Sequence, residues 1–444
     1  MTLADQRRRL PVVDSLPRGG TRWSSSEART TAKGPTWAIW ELTLACDQKC
    51  MHCGPRAGQR RPHELTTEEC LRVVQELAEL GCGEVVLIGG EAYLRNDFIL
   101  IIRAIRSAGM SCTMTTGGLN LSEERVAAII EAGVSGVTVS VDGLAATHDA
   151  IRGVPGSWNS AFAALRRVRA AGGKIACNTQ INRRTRGELA PLLELIAAEG
   201  VHSWQLQITV PHGNAADHPD LILQPYDFLD LFAELEPVID RCEALGVRLW
   251  PANNLGYFGP LERRLRKALR THWRGCSAGV TTLGLDSDGG VKNCPSLGGP
   301  VNVGGNWREH SLREVWQESY QLGYIRGRTR DDLWGYCSEC YYADTCMAGC
   351  TAASEPLLGR PGNNPFCHHR ALMLDRQGLR ERIEQVRAAP GKSFDNGLFR
   401  LIREHKDPAL RAAHGPVQID EPRVSRAVEP TGPGYPVDLS KEPG

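Results

Sequence analysis

The stretch Cys46-Asp47-Gln48-Lys49-Cys50-Met51-His52-Cys53 constrains this chain more than any other. Its three thiols, spaced C-x3-C-x2-C, follow an apolar run at 37–44 that reads as a buried strand entering a loop. A loop of that length can wrap three thiolates around one metal centre. Structural zinc and ordinary iron–sulfur clusters take four protein ligands, and the next cysteine, Cys70, falls in a helical pattern that keeps it from joining. A cubane held by three thiolates leaves one iron open to a small molecule with an amine and a carboxylate. A zinc knuckle is the plain alternative at this point.

From 36 to about 210, short β-branched runs alternate with helical stretches, the pattern of parallel strands joined by right-handed helical crossovers. The spacing predicts strands at 37–44, 84–88, 111–116, 136–141, 174–181 and 204–210. Helices are expected from a Thr66/Glu69 capping box to about residue 80, from Ser122, and at 157–171. Gly89-Gly90-Glu91, Gly117-Gly118, Asp142-Gly143 and Pro211-His212-Gly213 all fall at strand C-terminal ends, where barrels of this kind place their chemistry. The fold class expected is α/β, a partial (β/α)6 TIM-type barrel followed by a small cysteine-rich domain.

The expected divisions are a disordered arm (1–35), the barrel (36–215), a long helix and aromatic bridge (216–275), the cysteine-rich domain (276–372), C-terminal helices (373–410) and a disordered Pro-rich tail (411–444). The cysteine-rich part is too irregular to hold a core by burial alone, so metal is expected to supply much of its folding energy. With 52 Lys+Arg against 51 Asp+Glu, no basic footprint points to nucleic acid or an anionic membrane. No apolar window approaches the roughly 18 residues of a membrane helix. Arg7-Arg8-Arg9 precedes no apolar run either, so a cytoplasmic protein is expected. Fifteen cysteines, an odd number, then point to metal or redox chemistry instead of disulfides.

The C-x3-C-x2-C motif, with His52 just before its last cysteine, resembles the signature of radical S-adenosylmethionine (radical SAM) enzymes. A second series resembles the SPASM extension of such enzymes: Cys276-x12-Gly289-x4-Cys294, then Cys337-x2-Cys340-x5-Cys346-x3-Cys350, then Cys367. The resemblance implies that Cys46, Cys50 and Cys53 hold a [4Fe-4S] cluster that binds S-adenosyl-L-methionine. Two auxiliary Fe-S clusters are implied as well, an outer one on Cys337, Cys340, Cys346 and Cys367 and an inner one on Cys276, Cys294 and Cys350. Thr282 stands where a fourth inner cysteine is found in the sulfatase-maturing relatives, leaving Asp286, Asp288, water, substrate or a smaller cluster as options.

Gly89-Gly90-Glu91 resembles the motif that binds the methionyl amino group, with Ala92 in place of the usual proline. Ser140 and Asp142 resemble a ribose-contacting pair, and Arg152 an arginine that pairs with the ligand carboxylate. His52 counts with these cofactor-side residues. Asn178 and Gln180 share parity on the fifth strand and are expected to line the same cavity, with Cys177 facing away.

The function implied is a radical SAM/SPASM peptide maturase that abstracts a hydrogen atom from a ribosomally made precursor peptide. Two auxiliary clusters suit a net oxidation, such as a cross-link or dehydrogenation. Pro295, where the sulfatase-maturing enzymes carry a basic aspartate, argues against that chemistry. The expected partners are the precursor peptide, a one-electron reductant such as flavodoxin or ferredoxin, and a separate leader-binding protein. Gln205, Gln207, His212, Asn253 and Asn254 are candidates to face the peptide. Alternatives are a small-molecule substrate, a peptide epimerase using one of the remaining thiols (Cys70, Cys82, Cys112, Cys177, Cys242), and a non-catalytic zinc-binding module.

Overall fold

Alternation of large apolar residues with small or polar ones builds a sheet with two unlike faces. In the computed structural model, which describes residues 34–299 and 302–420, β1 (Trp37–Glu41), β2 (Glu84–Ile88), β3 (Ser111–Thr116), β4 (Gly136–Ser140), β5 (Ile175–Ile181) and β6 (Ser203–Ile208) run parallel in that order. Trp40, Leu87, Met114, Val139, Cys177 and Trp204 are sealed on the outer face beneath the helices. Thr113, Thr138, Asn178, Gln180, Gln205 and Gln207 stay half-buried on the other face, which forms the lumen. Asn178 pairs in register with Gln205, and Gln180 with Gln207, so four side-chain amides stand together there.

The crossovers follow the local signals. Thr66 caps the helix Thr67–Glu79 in a reciprocal box with Glu69, Ser122 caps Glu123–Glu131, and Ser157–Ala170 precedes β5. Helices Phe98–Ser107, Ala145–Arg152 and Leu189–Ala198 complete the set.

Two strands lie outside the expected barrel. β7 (Arg248–Pro251) pairs in parallel with β6 inside the segment expected to be a bridge, and β8 (Thr282–Leu285) pairs in parallel with β1. The sheet thus has eight parallel strands, β8-β1-β2-β3-β4-β5-β6-β7, extended beyond β8 by antiparallel β9 (Gly290–Lys292) and β10 (Val303–Asn306). Four-residue strands are too short to show a period, and the sheet edges recruit them.

The helices expected over 373–410 are a correction. Helix His368–Arg376 stops at Gly378, whose φ is 71°. β11 (Leu379–Arg387), β12 (Leu398–His405) and β13 (Pro416–Asp420) then form an antiparallel sheet, with a short helix at Pro408–His414. Phe399, Leu401 and Ile383 turn inward, while Arg380 and Arg382 bind Glu404 across the strands. Mixed apolar and charged residues fit either period in so short a window. Of the expected tail, 411–420 carries the end of that helix and β13. The rest of it, with residues 1–33 of the arm, lies outside the described residues.

Candidate functional site

The first thiol loop is moulded onto the ends of the barrel strands. Gly90 N and Glu91 N each donate over 2.8 Å to Thr43 and Ala45 carbonyls. Gly89 has φ 146°, and a Cβ there would lie 2.2 Å from Thr43 O; at Gly90 it would lie 2.0 Å from Ala45 O. The two glycines therefore let the end of β2 pass against the cysteine loop. Lys49 N and Met51 N bond to the Arg152 and Ile151 carbonyls, and Asn214 donates to Cys50 O and Cys53 O. Asn214 was missed, although it directly follows the strand-end Pro211-His212-Gly213.

Asp142 is fully buried at the end of β4. Its Oδ2 lies 2.8 Å from His52 Nε2 and 2.5 Å from Arg152 Nη2, and its Oδ1 accepts the Gln180 amide at 2.7 Å. Burial alone would raise its pKa, but Arg152 and His52 hold it well below the usual carboxylate range. The Asp142 carboxylate thus organises the site, drawing His52 and Arg152 together, while its Oδ1 has a single donor, the Gln180 amide. Ser140 sits beside Asn178 in register and is buried. His148 Nδ1 accepts the Asp142 amide, and burial pushes its pKa down to about 4, so the ring is neutral.

Arg152 spends Nη2 on Asp142, while Nη1 stands 3.7 Å from Cys50 Sγ and 3.5 Å from Gln48 Oε1. The guanidinium thus bridges Asp142 and the thiol loop, with its Nε left without a protein partner. Glu91 accepts from Thr116 Oγ1 at 2.5 Å and Gly117 N at 2.6 Å. Burial pushes its carboxyl up to about 8, against those two donors.

The residues fit the implied ligand. Asp47 Oδ1, Gln48 Nε2, Arg152 Nε and Asn178 Oδ1 are buried with no protein partner, and together they offer acceptors and donors to a group bearing both an ammonium and a carboxylate. Burial raises the pKa of all three thiols, and the Arg152 guanidinium is the cation that opposes this at Cys50. Among the described residues no three His, Cys, Asp or Glu converge closely enough for a single metal ion.

The later thiols divide into two sets by mutual influence. After burial, Cys346 responds to Cys367, Cys337 and Cys340, whereas Cys350 responds to Cys276 and Cys294. Asp286 is ion-paired with buried Lys292 at 2.6 Å, and Asp288 accepts the Gly290 amide in the β8–β9 turn. Thr282 Oγ1 donates to Ser277 Oγ at 3.1 Å.

The other candidates separate cleanly. Gln205 and Gln207 face the lumen, but Asn254 is consumed by the Ile208 backbone, whose amide and carbonyl it bonds at 3.1 and 3.0 Å. His212 is buried against Gly54 and Phe394, and burial lowers its pKa to about 4. The Asn253 carbonyl accepts from Tyr257. Cys70, Cys82, Cys112, Cys177 and Cys242 are all buried in the apolar core, with Cys112 and Cys177 on the outer sheet face. A lumen thiol for an epimerase is thus absent from this group. The loop between β11 and β12 was also missed: Phe394 N donates to Gly54 O at 3.1 Å and Asp395 binds Arg56 at 2.8 Å, which seats the terminal sheet beside the first thiol loop.

Residues 40–196 match the radical SAM superfamily, and residues 276–341 match the SPASM iron–sulfur cluster-binding domain. The AdoMet-dependent heme synthase of Methanosarcina barkeri is 29% identical over 350 residues, covering 76% of this chain and 97% of that protein. The mycofactocin maturase MftC of Mycobacterium tuberculosis is 28% identical over 347 residues, covering 75% and 83%. The crystal structure of Streptococcus suis SuiB bound to precursor peptide SuiA has the same fold, with TM-score 0.58, 17% identity and coverage of 73% and 74%. The chain therefore carries a radical SAM domain followed by a SPASM domain, and its cofactors are S-adenosyl-L-methionine and iron–sulfur clusters.

Proposed function

We propose that this radical SAM enzyme is a peptide maturase, acting in the cytoplasm on a ribosomally made precursor to install an oxidative modification such as a cross-link or dehydrogenation. The observation that carries this reading is the lumen's set of side-chain amides, Asn178, Gln180, Gln205 and Gln207, half-buried and in register across β5 and β6. Each amide offers a donor and an acceptor, matching the alternating N–H and C=O groups of an extended peptide. The maturase relatives, and a neighbour of like fold seen with a precursor peptide, support the same substrate class.

When bound, the cluster and S-adenosyl-L-methionine supply a 5′-deoxyadenosyl radical able to take hydrogen from unactivated carbon. This chain's residues prepare the place. Glu91, held by Thr116 and Gly117, is positioned for the methionyl ammonium. Asp142 locks His52 and Arg152 against the thiol loop, and Ser140 and Asn178 line the adjoining wall. A flavodoxin- or ferredoxin-class reductant and a separate leader-binding protein complete the proposed system.

The heme synthase relatives favour a second reading, a tetrapyrrole substrate, because the match spans nearly all of the Methanosarcina protein. Anaerobic turnover with dithionite separates the two. A precursor peptide encoded beside the gene, deuterated at the modified residue, is expected to pass deuterium into 5′-deoxyadenosine. Transfer from a labelled tetrapyrrole and none from the peptide would replace the first reading by the second.

A further inference from the structure

Left-handed backbone at residues other than glycine is concentrated where the two auxiliary thiol sets meet. Cys346 belongs to the outer set and Cys350 to the inner, and the three residues between them are all left-handed: Met347 (φ 51°), Ala348 (φ 54°) and Gly349 (φ 65°). Facing this turn, Tyr257 (φ 74°) and Phe258 (φ 48°) are left-handed too. Side chains with a Cβ resist this region, so the conformation persists only where the surroundings dictate it.

The surroundings are two aromatic rings. Tyr257, 1% exposed, donates its hydroxyl to Asn253 O at 2.5 Å and accepts the Cys350 amide at 3.0 Å. Its own carbonyl lies 3.9 Å from Cys367 Sγ, so one residue touches both sets. Trp273, also 1% exposed, donates Nε1 to Cys346 O at 3.0 Å. The rings meet edge to face at 5.0 Å. A Cβ on Gly349 would come within 2.6 Å of the tyrosine ring, so the turn is closed down on it.

We infer that Tyr257 and Trp273 are positioning residues that clamp the 346–350 turn and set the two auxiliary clusters apart electronically, Tyr257 governing the inner cluster and Trp273 the outer. The phenol oxygen holds the Cys350 N–H, which is thereby withheld from cluster sulfur. Hydrogen bonds to cluster sulfur are one of the levers on reduction potential. Removing the phenol oxygen frees that amide and makes the inner cluster easier to reduce. The inference concerns the auxiliary clusters alone and does not depend on the substrate.

The test uses the full chain, iron-loaded under anaerobic conditions, with Cys46, Cys50 and Cys53 replaced by alanine so that only the auxiliary clusters give spectra. Potentiometric titration followed by electron paramagnetic resonance is compared for that background, Tyr257→Phe and Trp273→Phe. Tyr257→Phe is expected to favour reduction of the inner cluster about tenfold, about 59 mV for a one-electron couple, with the outer cluster unmoved. Trp273→Phe is expected to move the outer cluster and spare the inner. If Tyr257→Phe shifts neither potential, shifts both equally, or merely loses inner iron with no shift in what remains, the rings are structural packing and the inference falls.

Discussion

The first thiol loop and the outer auxiliary thiols, both proposed as cluster ligands, are supported by different means. Around Cys46, Cys50 and Cys53 the barrel supplies the order: Asp142 ties His52 and Arg152 together, Asn214 holds two loop carbonyls, and the end of β2 and of the helix Ala145–Arg152 press against the loop backbone. Around the outer thiols, Cys337, Cys340, Cys346 and Cys367, support is uneven: Trp273 holds the Cys346 carbonyl, and Cys346 and Cys367 pack on the main core, whereas Cys337 sits on a small satellite cluster. All four are half-buried, and the local apolar cluster is Leu333, Ala343 and Ala348 packed with Cys337. The helices Tyr336–Glu339 and Ala343–Cys346 have four residues each, far below the length at which a helix holds itself. The barrel thus prebuilds its thiol loop, whereas the Cys337–Cys346 segment is expected to lean on a bound cluster for more of its order.

The largest effect that tests this contrast is on chemistry. Replacing Cys46, Cys50 and Cys53 together by alanine is expected to drop 5′-deoxyadenosine formation below detection while the barrel's thermal unfolding stays within a few degrees. A collapse in melting temperature would mean that the barrel leans on its cluster after all. Next comes iron removal. Chelation is expected to cost residues 329–367 roughly hundredfold in amide-exchange protection while β1 to β6 keep theirs; uniform loss would erase the distinction.

Asp142→Asn probes the prebuilt side directly. It leaves Arg152 buried without its anion, and breaking a buried pair on one side costs about 3–5 kcal/mol. Chemical denaturation of the iron-free protein reads this loss, and a cost under about 1 kcal/mol would show that the ordering comes from elsewhere. Glu91 gives the same region a pH signature. Its carboxyl ionises near 4.5 when unfolded and near 8 when folded, so the folded state binds the extra proton between those values. The associated stability is present below pH 4.5 and declines toward pH 8 by up to about 1.4 kcal/mol per unit. Urea midpoints of iron-free Glu91→Gln should show a flatter profile over that window.

What was legible in the sequence follows the range of the interactions. The six barrel strands, the Thr66 cap and both thiol series depend on spacing within a few residues. The assignment of Cys350 to the inner set, apart from its neighbour Cys346, also follows from spacing, once the resemblance is granted. β8 was not legible because its place is fixed by partners far away: Ser287 Oγ bonds Glu41, itself held by Arg61. That Asp142 also joins His52 to Arg152 was not legible, because parity shows which way a side chain points and not what it meets there. The terminal sheet was misread because its charges pair between elements and leave no local trace: the Glu381 carboxylate of β11 is shared by Arg403 of β12 and by Arg370 of the preceding helix.

The smallest effect locates the border between the two regimes. Thr66 and Ser311 open helices with the same reciprocal box, the first in the barrel and the second in the SPASM segment. Ser311 nevertheless docks on the barrel: Glu76 of the Thr66-capped helix accepts Trp307 Nε1 at 2.9 Å and Leu312 N at 2.8 Å, and Trp316 is fully buried. Thr66→Ala and Ser311→Ala should therefore each cost about 1 kcal/mol, and both costs should survive chelation. If the Ser311→Ala cost vanishes once iron is removed, the metal-dependent region begins before residue 311; if it persists, packing divides this chain after the barrel-docked helix and not at Cys276.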